Sequence, residues 1–189
     1  MTTREQQFGR EQQFGREQQF GREQQLGREQ QLGLEQRLGL EQRLGAHPLL
    51  AGITEAALAE IAACARAVEV AAGAFLFHEG ETADRCYLLY HGRIALGASQ
   101  PGRGHLVLET LGPGEIVGLS WLIPPYRFAY DGQAMELMRA IVLDAACLRA
   151  KIAADSVLCC ALLQRLVPVL AQRLQGARLQ SLDVYGRHR

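Results

Sequence analysis

No sign of charge dominates this chain of 189 residues, which carries 20 Lys plus Arg against 20 Asp plus Glu. Neither part of it offers a one-signed surface for DNA, RNA or anionic lipid. It has no apolar run approaching the ~18–20 residues of a membrane span, so no membrane partner is expected. Its N-terminus is polar, which excludes a secretory signal there. The five cysteines, Cys64, Cys86, Cys147, Cys159 and Cys160, are odd in number and irregular in spacing. That pattern predicts no disulfide framework and a reducing, cytoplasmic setting. No Gly-rich loop opens a helix after a strand, and no nucleophile, base and orienter form a legible set, so an enzyme is not expected.

What is present begins with a repeat. Residues 4–45 are seven hexads, from Arg-Glu-Gln-Gln-Phe-Gly at the start to Leu-Glu-Gln-Arg-Leu-Gly at the end. Six residues of helix advance about 600°, so the Phe and Leu side chains form no single stripe. The seven-residue rhythm of a coiled coil is absent, and each Gly costs about 1 kcal/mol in a helix interior. The expectation is a low-complexity arm over residues 1–45, disordered or partly helical, with self-association or partner binding as its alternative role.

The rest is large enough to bury a core without metals or disulfides. Thr54 caps a helix over about 54–66, in which Leu58, Ile61, Ala62 and Ala65 share a face. From Gly73 to Gly118 short apolar runs alternate with glycine turns, the pattern of many short strands. Strands are predicted at 67–71, 74–78, 86–90, 93–98, 105–110, 115–118 and 133–143, with Gly102-Arg103-Gly104 as a hairpin tip. Asp144 begins a short helix through about Ala153. A long helix follows over 156–182, with Leu158, Leu162, Leu166, Leu170 and Leu174 repeating every four. Pro168 sits inside it and should kink it. The stripe is longer than a small β domain covers, which predicts a homodimer through this helix.

This order resembles the cyclic-nucleotide-binding domain of Crp/Fnr-type regulators. The carrying residues are Leu76-Phe77-His78-Glu79-Gly80-Glu81-Thr82-Ala83, then Cys86-Tyr87-Leu88-Leu89, then Gly92, and Leu111-Gly-Pro-Gly-Glu-Ile-Val-Gly118. The resemblance implies an α+β fold: an antiparallel β-roll, jelly-roll-like, with an N-terminal helix and a long C-terminal helix. It divides the chain into the arm, a roll with flanking helices over 46–153, and the long helix and tail over 154–189.

The resemblance also places a ligand cassette after Gly118. There the family sets a Glu for the ribose hydroxyl and, after a short helix, Arg-Ala-Ala/Ser for the cyclic phosphate. Helix amides and a bidentate guanidinium suit such an anion. Here the Glu position is Leu119, which accepts no hydrogen bond. Arg127 stands about one residue early and is followed by Phe128-Ala129. The candidate ligand-binding residues are therefore Gly118, Leu119, Ser120 and Arg127, for a cyclic nucleotide or another small anion. The insert from Trp121 to Tyr130 reads as pocket wall or core. The family's helix-turn-helix does not follow the long helix in these residues, so specific DNA binding is not expected.

Three readings result. The first is a non-catalytic sensor or regulatory module with a degenerate phosphate cassette, acting on an unidentified protein partner. The second is a ligand-free interaction scaffold. The third is a cupin-like metalloprotein, against which His78, His91 and His105 stand far apart and Cys159-Cys160 face about 100° apart; haem ligation is a further alternative.

Overall fold

The computed structural model describes residues 39–100 and 104–186. Most of the hexad arm, the hairpin tip at residues 101–103 and the last three residues lie outside them, and with them the expectation of a disordered or partly helical arm. From Leu40 onward the chain forms a compact unit. Residues 39–46 are helical, and Leu44, inside the last hexad, is fully buried. The packed domain thus reaches back into the repeat, ahead of the boundary expected at residue 46.

Helix α1 spans Glu55–Ala62, and the Thr54 hydroxyl accepts from the Ala57 amide as the sequence suggests. Eight antiparallel strands follow: β1 Ala65–Val70, β2 Phe75–Phe77, β3 Arg85–His91, β4 Ile94–Gln100, β5 Gly104–Leu111, β6 Ile116–Val117, β7 Asp131–Ala134 and β8 Met138–Asp144. They form two four-stranded sheets, ordered β1-β8-β3-β6 and β2-β7-β4-β5. The fold is the β-roll with flanking helices.

One expected strand is in fact two. The run 133–143 is broken at Met135–Leu137, where β7 in one sheet hands over to β8 in the other. Ile94 pairs with Ala134, while Leu88 pairs with Ile141. The Met135 amide donates to the Arg93 carbonyl at 2.9 Å. The corner closes against Gly92, whose φ is +80° and whose missing Cβ would overlap the Leu137 carbonyl and lie 2.9 Å from Met138 Cα. Only glycine fits there without strain.

The core lies between the sheets and under the helices. Cys86, Tyr87, Leu88 and Leu89 of β3 are all buried, so that strand is covered on both faces. Removing such side chains from water contributes roughly 25 cal/mol per Å² of apolar surface. His47 is buried as well. Its Nδ1 accepts from the Leu49 amide, while its buried Nε2 has no hydrogen-bond partner among the described residues. Burial lowers its pKa from the ordinary histidine value, against a smaller upward pull from the backbone at Leu89 and Glu115.

The cysteine expectation needs correction. Cys64 and Cys147 form a disulfide across 83 residues, with Cα atoms 5.7 Å apart. A single bridge of that span leaves no spacing pattern in sequence. Its existence removes the cysteine argument for a reducing setting.

Asp144 caps helix α2, Ala145–Ala154, by accepting from the Cys147 amide at 2.7 Å. Asp155 then accepts from the amides of Val157 and Leu158 at the start of helix α3, Ser156–Gly186, which contains Pro168. Leu158, Leu162 and Leu166 bury against the domain. Val157, Val167, Leu174 and Leu179 stay exposed. Ser156–Leu179 is long and apolar enough to cross a membrane by length and composition, with 17% of the window buried. Arg165 donates to the Ala51 carbonyl and Arg173 to the Ile116 carbonyl, which ties this helix to the domain.

Candidate ligand cassette

The cassette occupies the loop between β6 and β7. Gly118 ends β6 in the left-handed region, with φ +84°. A Cβ there would meet the Phe128 ring at 3.1 Å and the Arg85 carbonyl at 3.3 Å. Glycine is needed for both the turn and the space. A 3-10 turn over Leu119–Leu122 follows. Next come the cis Pro124–Pro125 peptide and Tyr126, which also has positive φ, at 56°.

The segment after the turn runs alongside the β2–β3 connection. The Gly80 amide donates to the Phe128 carbonyl, the Phe128 amide to Glu81, and the Ala83 amide to Tyr126, at 2.7–2.9 Å. Thr82 and Arg127 form a β-bridge within this pairing. The loop is thus built almost as an extra strand.

The four sequence candidates take different places. Gly118 makes the turn. Leu119 is 8% exposed and belongs to the hydrophobic core. Ser120 is half-buried, and its carbonyl accepts from the Ile123 amide. Arg127 is exposed, and its Nη1 donates to the Gly80 carbonyl at 2.7 Å. Among the described residues its guanidinium pairs with no carboxylate.

The interior beside this loop is filled by rings. Phe128 stacks on Phe77 with centroids 3.8 Å apart and planes 11° off parallel, and Tyr87 lies 6.3 Å beyond Phe77. Gly132 on β7 gives Phe77 its room, since a Cβ there would sit 2.5 Å from the ring. Arg85 finishes this wall: its Nε donates to the Tyr87 hydroxyl and its Nη2 to the Leu76 carbonyl. Burial raises the Tyr87 pKa, with Arg85 opposing the shift. Trp121 is buried too, so this part of the aromatic insert is core.

Two residues that sequence reasoning missed hold the site from outside. Asp131, buried at the end of the loop, accepts from the Glu79 amide at 2.8 Å and lies 3.3 Å from His78 Nδ1. Arg149 on α2 donates to the Trp121 carbonyl at 2.9 Å and stacks over the Tyr126 ring at 4.5 Å. The arginine that meets the aromatic insert is therefore Arg149, from a helix about twenty residues later in the chain, and no local pattern marks it. Two cavities, of about 600 and 460 Å³, lie elsewhere, along α2 and α3 and beside the disulfide. Among the described residues no group of three or more His, Cys, Asp or Glu is placed to hold a metal ion.

Known proteins are similar in sequence and fold. Residues 67–155 match the family model described as cyclic nucleotide-binding domain. A curated relative, the HTH-type transcriptional regulator Cmr of Mycobacterium tuberculosis, is 29% identical over 63% of this chain and 47% of its own length. The CRP-like cAMP-activated global transcriptional regulator of the same organism is 26% identical over 70% of this chain and 58% of its own. The chain thus spans about half the length of these relatives. A cyclic nucleotide-binding domain from Methylobacillus flagellatus superposes with a TM-score of 0.65 at 18% identity, over 78% of this chain and 83% of that one, a likeness of fold. With the roll, the glycine corners and the cassette loop in place, residues 67–155 match a cyclic nucleotide-binding domain, and the chain has Crp-like relatives.

Proposed function

We propose that this domain is a non-catalytic regulatory sensor whose cassette takes a small anion without gripping a ribose. The observation that carries the reading is Arg127: an exposed guanidinium beside the cassette turn, tied to the Gly80 carbonyl and, among the described residues, to no carboxylate. A neutral carbonyl holds a guanidinium more weakly than an anion does, so an incoming phosphate or carboxylate can displace it. Leu119 lies at the position where a ribose-binding Glu would stand. Losing one charge-assisted hydrogen bond costs about 1.5–3 kcal/mol, roughly ten- to a hundred-fold in affinity.

Calorimetric titration of the full chain with cAMP and with cGMP tests this. The expected result is weak heat, with Kd above roughly 100 μM, abolished by Arg127→Ala. A micromolar Kd for either nucleotide would overturn the degenerate-cassette reading.

A second reading, a ligand-free interaction scaffold, is favoured by the Phe77–Phe128 stack, which fills the roll beside the loop. Absence of heat with both nucleotides, and with inorganic phosphate, decides for it. In either case the exposed face of α3, with Val157, Val167, Leu174 and Leu179, suits a second copy of the chain. Light scattering at micromolar concentration should give twice the chain mass; a monomer removes the dimer. The family reading and the packing of α3 on the roll go with a cytoplasmic location.

A further inference from the structure

We infer that Cys64–Cys147 is an exchangeable disulfide, at which a small thiol and its disulfide set the state of the cassette. The bridge joins the end of α1 to the first turn of α2. It lines an open cavity of about 460 Å³ together with Arg66, Arg85, Asp84 and Asp144. That lining is polar and charged of both signs, which suits a zwitterionic thiol with free carboxylates and amine, such as glutathione. Cys147 is half-buried, whereas Cys64 is buried, so the attack is assigned to Cys147.

The chemistry balances as ordinary exchange. A small thiolate attacks Cys147 Sγ; the new S–S bond forms as the bond to Cys64 breaks, and Cys64 leaves as a thiolate that takes a proton from water. A second thiolate attacks the small-molecule sulfur of that mixed disulfide. It releases the Cys147 thiolate and leaves as the oxidised small disulfide. The protein bridge gains two electrons and the two thiols lose them. Oxidation runs the same steps backwards.

The link to the cassette is α2 itself. Arg149, two residues after Cys147, grips the cassette through the Trp121 carbonyl and the Tyr126 ring. With the bridge closed, the start of α2 is fixed to the α1–β1 junction, and Arg149 is held in register with the loop. With the bridge open, the start of α2 keeps its backbone bonds to the Cys64 and Asp84 carbonyls but loses its covalent anchor, and the arginine contact loosens.

The chain supplies its own controls. Trp121 is its single tryptophan, so intrinsic fluorescence reports on the cassette. Cys86 is fully buried, while Cys159 and Cys160 are free and reach the surface. The full chain is equilibrated in glutathione buffers graded from oxidised to reduced, then alkylated and mapped by mass spectrometry, with Trp121 emission recorded alongside. Cys64 and Cys147 should become alkylated together and reversibly as the buffer turns reducing, whereas Cys159 and Cys160, being free, exchange with glutathione one at a time. Trp121 emission should shift over the same buffer range. Arg149→Met should abolish the shift while leaving the alkylation unchanged. Cys64→Ser with Cys147→Ser should fix the emission at its reduced value. Should that variant fail to fold, the wild-type titration and Arg149→Met decide. Cys64 and Cys147 that label in every buffer, or in none short of unfolding, or an emission that ignores their state, would overturn the proposal.

Discussion

The glycine corners of the roll and the glycine turn of the cassette have similar backbone angles, yet they clear space for different things. At Gly92 the room is taken by the backbone of the next strand, around Leu137 and Met138. At Gly132 it is taken by the Phe77 ring, and at Gly118 first by the Phe128 ring and then by the Arg85 carbonyl. A backbone in that place fixes how two sheets join. A pair of aromatic rings fixes what can enter between them. Family resemblance therefore speaks more strongly for the shape of this domain than for its ligand.

The strongest test of that contrast is to empty the cassette. Phe128→Ala removes a ring that is 2% exposed and should cost about 3–5 kcal/mol in urea unfolding. A loss below about 1 kcal/mol would mean the rings are ligand wall rather than core. Gly92→Ala attacks the other side of the comparison. Strained φ and overlap with the β7–β8 corner should together cost about 2–3 kcal/mol, read from the same unfolding curves. A neutral Gly92→Ala would show that the corner relaxes easily.

His47 sharpens the comparison on the roll side, because it lies against the backbones of β3 and of the turn into β6. Its folded pKa is lowered by burial, so the unfolded chain takes up a proton that the native ring refuses. Stability should therefore fall as pH drops below the ordinary histidine value and level off once the native ring also protonates. The slope from one proton is at most about 1.4 kcal/mol per pH unit. His47→Asn, which keeps a capping acceptor, should flatten that part of the stability–pH curve; an unchanged slope would assign it to other groups. Arg127→Ala should have the smallest effect, within about 0.5 kcal/mol of wild type, because the side chain is exposed. A larger drop would make Arg127 a structural clamp on the Gly80 turn instead of an anion-binding group.

The roll was legible in sequence because glycine turns and short apolar runs are local signals. Thr54 and Asp144 announced their helices for the same reason. The break between β7 and β8 was not legible: Ala134, Leu137 and Ala140 continue a loose alternation, although Met135 and Leu137 are exposed at the corner. In the cassette, the substitution at Leu119 could be read, but its consequence depends on Phe77, more than forty residues earlier in the chain. Cys64 and Cys147, and the reach of Arg149 to Trp121, are likewise pairings that three dimensions create.

Arg173 adds a mechanical consequence. Its bond to the Ile116 carbonyl, together with its ion pair with Glu109 at 3.7 Å, pins α3 just ahead of the cassette turn. At about 1.5 Å per residue, the helix runs roughly 20 Å past that pin to Gly186. A tilt of about 10° there would carry the far end some 3.5 Å. Pinned there, the distal part of the helix is an arm whose pivot lies next to the cassette turn, and any tilt at the pivot is multiplied along its length.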